Sequence, residues 1–124
     1  MELVEFLRDR LAKDEQLARA CAASSWRAEP SGSVAVDAED PAFVATAENQ
    51  AYVEHIARHD PARTLREVAA ARQIVDDYEK ESWILDQGHR TPELVAAHAA
   101  RESVLRLLAL PHAAHPAYQE EWRP

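Results

Sequence analysis

Cysteine, glycine and lysine are nearly missing from this 124-residue chain, and each shortage removes a class of chemistry. One cysteine, Cys21, rules out an internal disulfide and any cysteine-rich metal cluster, and fits a reducing compartment. Two glycines, neither opening a strand-to-helix turn, leave no phosphate-cradling loop, and no serine sits in a Gly-x-Ser-x-Gly elbow. No apolar run approaches the roughly 18 residues that span a bilayer. The acidic start Met1-Glu2-Leu3-Val4-Glu5 also lacks the basic region of a signal peptide. A cytoplasmic protein with no membrane partner is expected.

Basic charge is scarce too. Lysine plus arginine number 14 against 22 acids, for a formal charge of −8, and lysine occurs only at Lys13 and Lys80. Neither half of the chain offers a basic surface, so direct nucleic-acid binding is not expected. Large apolar side chains are sparse and alanine is the commonest residue. Burial of alanine gains less apolar area than burial of leucine, so the core of a single 124-residue domain is expected to be thin. Helix faces rich in alanine allow close approach, and self-association would enlarge such a core.

What is present is helical periodicity. Leu3, Leu7, Leu11, Leu17 or Ala18, and Cys21 recur at helical spacing and predict a helix near 2–23, with Cys21 as a small core residue. Residues 26–46 change character. Trp26-Arg27-Ala28 and Val34-Ala35-Val36 flank a Pro30-Ser31-Gly32 turn, which predicts a hairpin in 26–37, and Phe43-Val44 forms a third short strand or plugs the core. Tyr52, Val53 and Ile56 share the face of a helix near 48–59. Asp60-Pro61 and Thr91-Pro92 each place an N-cap before a proline at the first helical position. They predict a helix hairpin from 61–86 and 92–110, with Gly88 ending the first helix and Pro111 the second. The fold class is therefore mainly α, a small helical domain with a long helix hairpin and a short β-hairpin insertion. The tail 111–124 is rich in Trp, Tyr and His, and Tyr118 and Trp122 are expected to pack on the helices.

Candidate chemistry rests on histidine. His55 and His59 are four residues apart, on one helix face, a spacing that suits zinc. The zinc-protease pattern needs a glutamate directly after the first histidine, and position 56 is Ile. His112 and His115 lie in the 111–116 loop, and a folded-back tail would bring them to the first pair as a four-ligand metal site. The structural alternatives are a helix end whose basic side chains suit the macrodipole and loop histidines making one hydrogen bond each. His98 reads as a half-buried, satisfied residue. Asp76, Asp77, Glu79 and Glu81 form an acidic run that reads as a solvated helix face or as the phosphate mimicry of an acidic DNA-mimic or anti-defence protein. Trp26, Trp83 and Trp122 are needed mostly as core.

The stretch His55-Ile-Ala-Arg-His-Asp-Pro-Ala-Arg-Thr-Leu-Arg-Glu-Val68, the opening 2–26 and the ending Leu105-Arg-Leu-Leu-Ala-Leu-Pro-His-Ala-Ala-His-Pro-Ala-Tyr-Gln-Glu-Glu-Trp-Arg-Pro124 resemble an uncharacterised family of small proteins from actinobacteria and their phages. The chain departs from that pattern at Ala22-Ala23-Ser24-Ser25-Trp26, where Thr-Pro-Gly-Pro-Trp is usual. The resemblance implies a bacterial or phage accessory gene and brings no catalytic residues. The residues themselves favour a non-enzymatic helical module that binds a protein partner or itself, over a small metal-dependent protein using the paired histidines.

Overall fold

A computed structural model describes all 124 residues. Helix α1 (Leu3–Ala20) is followed by strands β1 (Trp26–Ala28), β2 (Ser33–Val36) and β3 (Phe43–Thr46), then by helices α2 (Gln50–Arg58), α3 (Pro61–Asp86) and α4 (Pro92–Ala109). Two short 3-10 turns, Leu110–His112 and Glu120–Trp122, shape the tail. The architecture is mainly α, and the insertion is a three-stranded antiparallel sheet rather than a lone hairpin, in the order β1-β2-β3. The chain packs as two compact units, one of Met1–Ala12 with Ala69–Pro124 and one of Lys13–Val68, whose boundaries fall within α1 and α3. No helix is long and apolar enough to cross a membrane.

The helix ends follow from local chemistry. Asn49, in extended conformation, accepts the Tyr52 N–H on its side chain at 3.1 Å, so α2 starts at Gln50. Thr91 Oγ1 accepts the Leu94 N–H at 3.1 Å ahead of Pro92. Gly88, at φ 89, stops α3. Helix α1 ends at Ala20, before the expected residue 23. The Ala23 N–H reaches the Ala18 carbonyl at 3.0 Å and the Ala22 N–H that of Arg19 at 2.9 Å, a Schellman closure. Ala22 and Ala23 consequently take φ of 59° and 53°, a left-handed conformation that costs a non-glycine residue about 1–2 kcal/mol. Cys21, in this turn, is exposed and is not a core residue.

In the unit 13–68, β2 lies between its neighbours, pairing Trp26↔Val36 and Ala28↔Val34 on one side and Ser33↔Thr46 and Val34↔Ala45 on the other. A register shift at Val34/Ala35 accommodates β3, whose Phe43 is 71% exposed. Gly32 (φ 86) supplies the left-handed residue of the β1–β2 turn. Val34, Val53 and Ala57 form the core, with Trp26, Val44 and Ile56 packed against it, while Tyr52 points outward. Asp60 joins strand to helix. Its Oδ1 accepts the Arg63 N–H at 2.8 Å as the cap of α3, and its Oδ2 accepts the Trp26 N–H at 3.1 Å.

The other unit is built on Phe6, which is 1% exposed among Leu7, Val75, Leu105, Ala109 and Trp122. The tail closes over it. Trp122 and Tyr118 approach the Phe6 ring with centroids at 5.1 and 6.0 Å, and Gln119 Nε2 donates to the Met1 carbonyl at 2.9 Å. Of the three tryptophans only Trp122 is buried. Trp26 is half-buried, and Trp83 is 64% exposed because its position on α3 turns away from α4. Trp122→Ala removes a ring that buries on the order of 150–250 Å². It should cost about 3–5 kcal/mol and lower the thermal midpoint by at least about 10 °C, against no shift for a His55→Ala control on the exposed end of α2. Differential scanning calorimetry reads this directly, and an unmoved midpoint for Trp122→Ala would show that the tail does not hold the core.

Candidate functional site

The one buried charged residue is Glu81, 8% exposed on the inner face of α3. A buried carboxylate needs partners, and α4 supplies them at positions one turn apart. His98 Nδ1 lies 3.1 Å from Glu81 Oε1, and Arg101 Nε lies 3.2 Å from Glu81 Oε2. The other face of the same imidazole is used as well, since His98 Nε2 lies 3.0 Å from Ser82 Oγ. The ring stacks on Tyr78 at 4.3 Å with an interplanar angle of 12°. Burial pushes the Tyr78 phenol above its usual pKa and the Glu102 carboxylate adds to the shift, so the phenol stays a neutral donor in neutral solution. A cavity of about 230 Å³, lined by Ser82, Leu85, Asp86, Arg90, Val95 and His98, opens beside the cluster.

Serine, histidine and glutamate here have the connectivity of a nucleophile, its base and the acid that orients the base. Two features separate the arrangement from a working acyl-transfer site. Ser82 lies inside α3, where backbone N–H groups are committed to the helix and cannot form an oxyanion hole. Glu81 is shared with Arg101, whose positive charge opposes the imidazolium that a general base must become. The cluster does satisfy every polar group it buries, and it joins α3 to α4.

The histidines singled out by sequence fall two in each unit. His55 and His59 face each other with centroids at 4.3 Å, and His59 Nδ1 donates to the His55 carbonyl at 2.7 Å. That leaves Nε2 of His59 for other partners, at the wall of a cavity of about 220 Å³ shared with Asp14, Cys21, Trp26 and Thr64. His112 and His115 instead meet the edge of the Phe6 ring, at 6.1 and 5.6 Å, and His115 Nδ1 accepts the Ala117 N–H at 3.0 Å. No three His, Cys, Asp or Glu side chains gather as a metal-ligand set.

The acidic run on α3 is not an open row of charge. Arg8 donates to Glu79 Oε1 from Nε at 3.0 Å and to Asp76 Oδ1 from Nη2 at 2.8 Å, contacts that raise its own pKa above the usual arginine value. Asp77 Oδ1 accepts from Gln73 at 3.0 Å, and Glu81 is the buried residue described above. The four carboxylates thus fall in two pairs, Asp76 and Glu79 toward Arg8 and Asp77 and Glu81 toward Arg101, and the reading of a solvated face fails at Glu81.

Sequence reasoning missed two features. The first is the Glu81–His98–Ser82–Arg101 cluster, because side chains 16 to 20 positions apart carry no local signal of pairing. The second is the outward face of α4. Val104, Leu107 and Leu110 are 39%, 56% and 38% exposed, and Ala96, Ala99, Ala100 and Ser103 share that face, while Val95, on the opposite side of the helix from Val104, lines the cavity against α3. An amphipathic helix normally sends charge outward. This one sends His98 toward its own fold and part of its aliphatic set into solvent. Removal of the Glu81 carboxylate should be felt as lost stability. Glu81→Ala leaves His98 without its acceptor and is expected to cost about 1–3 kcal/mol, read as a lower urea midpoint with unchanged slope. An unchanged midpoint would mean that the cluster does not join α3 to α4.

Comparison with curated proteins and with solved structures finds no match. A family model, by contrast, covers residues 1–124, and the chain belongs to the family of unknown function DUF6221.

Proposed function

We propose that this chain is a non-enzymatic accessory module of the cytoplasm that acts by binding another protein chain through the outward face of α4. The observation that carries this reading is the composition of that face, where Val104, Leu107 and Leu110 line up with Ala96, Ala100 and Ser103, and Glu93 in the first turn is the one charge among them. Single exposed apolar residues are ordinary on a folded surface, whereas a contiguous apolar strip marks an interaction site. The strip also draws on a resource the chain has little of, since large apolar residues are sparse and each one outside is lost to the core. The resemblance to small proteins of actinobacteria and their phages fits an accessory gene product. The partnered state of Asp76, Glu79 and Glu81 weighs against phosphate mimicry, which needs carboxylates free to face a protein built for DNA.

A photo-crosslinking amino acid placed at Leu107 tests the reading in cells that naturally carry the protein, with the same group at the exposed Ala70 of α3 as the control. Discrete protein adducts should form from position 107 and not from position 70. Equal, background-level adducts from both would overturn the proposal.

A further inference from the structure

The strip on α4 has a shape of its own. Ala96, Ala100, Ser103, Leu107 and Leu110 follow one another at intervals of 4, 3, 4 and 3 residues, the heptad spacing that keeps one seam of a helix facing a partner helix. The seam is graded. Its N-terminal half carries alanine and its C-terminal half carries leucine, with Val104 beside it, and Ser103 divides the two. We infer that the occupant of this face is a second copy of this chain, paired α4 to α4 in antiparallel sense about a two-fold axis at Ser103.

Shape selects that partner. About an axis at position 103, residue 96 meets 110 and residue 99 meets 107 of the other copy, so each leucine lies over an alanine and large groups interdigitate with small ones, while Ala100 faces the stem of Arg106. A parallel pair would set leucine on leucine at one end and alanine on alanine at the other, leaving a crowded end and a hollow one. Burial of the residue on the axis carries no polar penalty, because Ser103 Oγ already donates to the Ala99 carbonyl of its own helix at 3.3 Å. No charged residue meets its own symmetry mate, since the axis passes through a serine. An isologous two-fold pair is also the commonest form of self-association.

Area sets the strength. An 18-residue helix is about 27 Å long and about 10 Å wide with its side chains. Two such faces together present a footprint of about 540 Å², well under the roughly 1,200–2,000 Å² of stable specific interfaces. The pair is therefore a weak, reversible dimer rather than an obligate one. This inference rests on the reading of α4 as the working surface and adds the identity of the partner.

Sedimentation velocity of the full chain from about 1 to about 300 µM tests it, alongside Leu107→Glu and Ala100→Glu. The wild-type average mass should climb from one chain toward two, and each variant should weaken association at least about 10-fold while keeping its helical circular dichroism and thermal midpoint. The two substitutions lie on opposite halves of the seam, so a folding defect in one leaves the other informative. A wild-type chain that stays monomeric throughout, or variants that associate as tightly as wild type, would overturn the inference. If the wild type is monomeric while the crosslinker at position 107 captures a different protein, the second copy is wrong and the module reading stands. If neither occurs, both fall.

Discussion

Scarcity of large apolar side chains is the constraint under which this fold is built. With two phenylalanines and three tryptophans in 124 residues, each compact unit has few side chains able to fill a core. One unit centres on Phe6, and almost everything around it is recruited to cover that ring. The 3-10 turns of the tail bring Trp122 and Tyr118 over it, and His112 and His115 contribute their edges. The other unit has Val34 and Val53 at its centre and makes up the difference with polar junctions, of which Asp60 is the most economical, capping α3 and holding β1 with one carboxylate. Between α3 and α4 the same shortage is met by Glu81, His98, Ser82 and Arg101, a polar contact where a richer sequence would place aliphatic groups. Such a contact is weaker evidence of stability than of specificity, because desolvation of the carboxylate offsets much of the attraction.

Against that background, the position of the remaining aliphatic groups carries the functional argument. A helix that turns a histidine inward and leaves Leu107 and Leu110 in solvent departs from what a solitary fold needs. Val104 and Leu105 are adjacent in sequence, yet one is 39% exposed and the other fully buried, so α4 has two apolar sides and only one of them is used by its own unit. The backbone strain at Ala22 and Ala23 lies elsewhere, in the turn that ends α1 next to the cavity containing Cys21 and His59. It has a sufficient cause in the Schellman closure of a helix that lacks a terminal glycine.

Element starts were legible because caps are local. Asp60-Pro61, Thr91-Pro92 and Gly88 mark their boundaries with residues whose side chains or φ angles close the helix themselves. Strands β1 and β2 were legible from their turn. What local pattern could not show is which neighbour of a periodic position faces inward. Leu17 and Ala18 are both consistent with the α1 stripe, and the fold buries Ala18 while leaving Leu17 53% exposed. Cys21 continued that stripe on paper, but the helix ends one residue earlier. Size alone places Trp83 in the core, yet it is exposed, and Phe43 extends the sheet as an edge strand with its ring outward. The site-level misses have one physical origin. Hydrogen bonds between Glu81, Ser82 and His98 depend on the rotation of α3 against α4, and no spacing within either helix encodes that rotation.

The central claim is that α4 carries a self-complementary seam. Distances between spin labels by pulsed electron resonance address it most directly, with labels at Glu93 or Ala97, both exposed, on a Cys21→Ser background. In an antiparallel pair centred on Ser103, each step away from the axis is counted twice. The 93–93 separation should then exceed the 97–97 separation by about 12 Å along the helix at 1.5 Å per residue. Equal separations would indicate a parallel pair, and the absence of any intermolecular distance at concentrations above 100 µM would contradict the seam altogether.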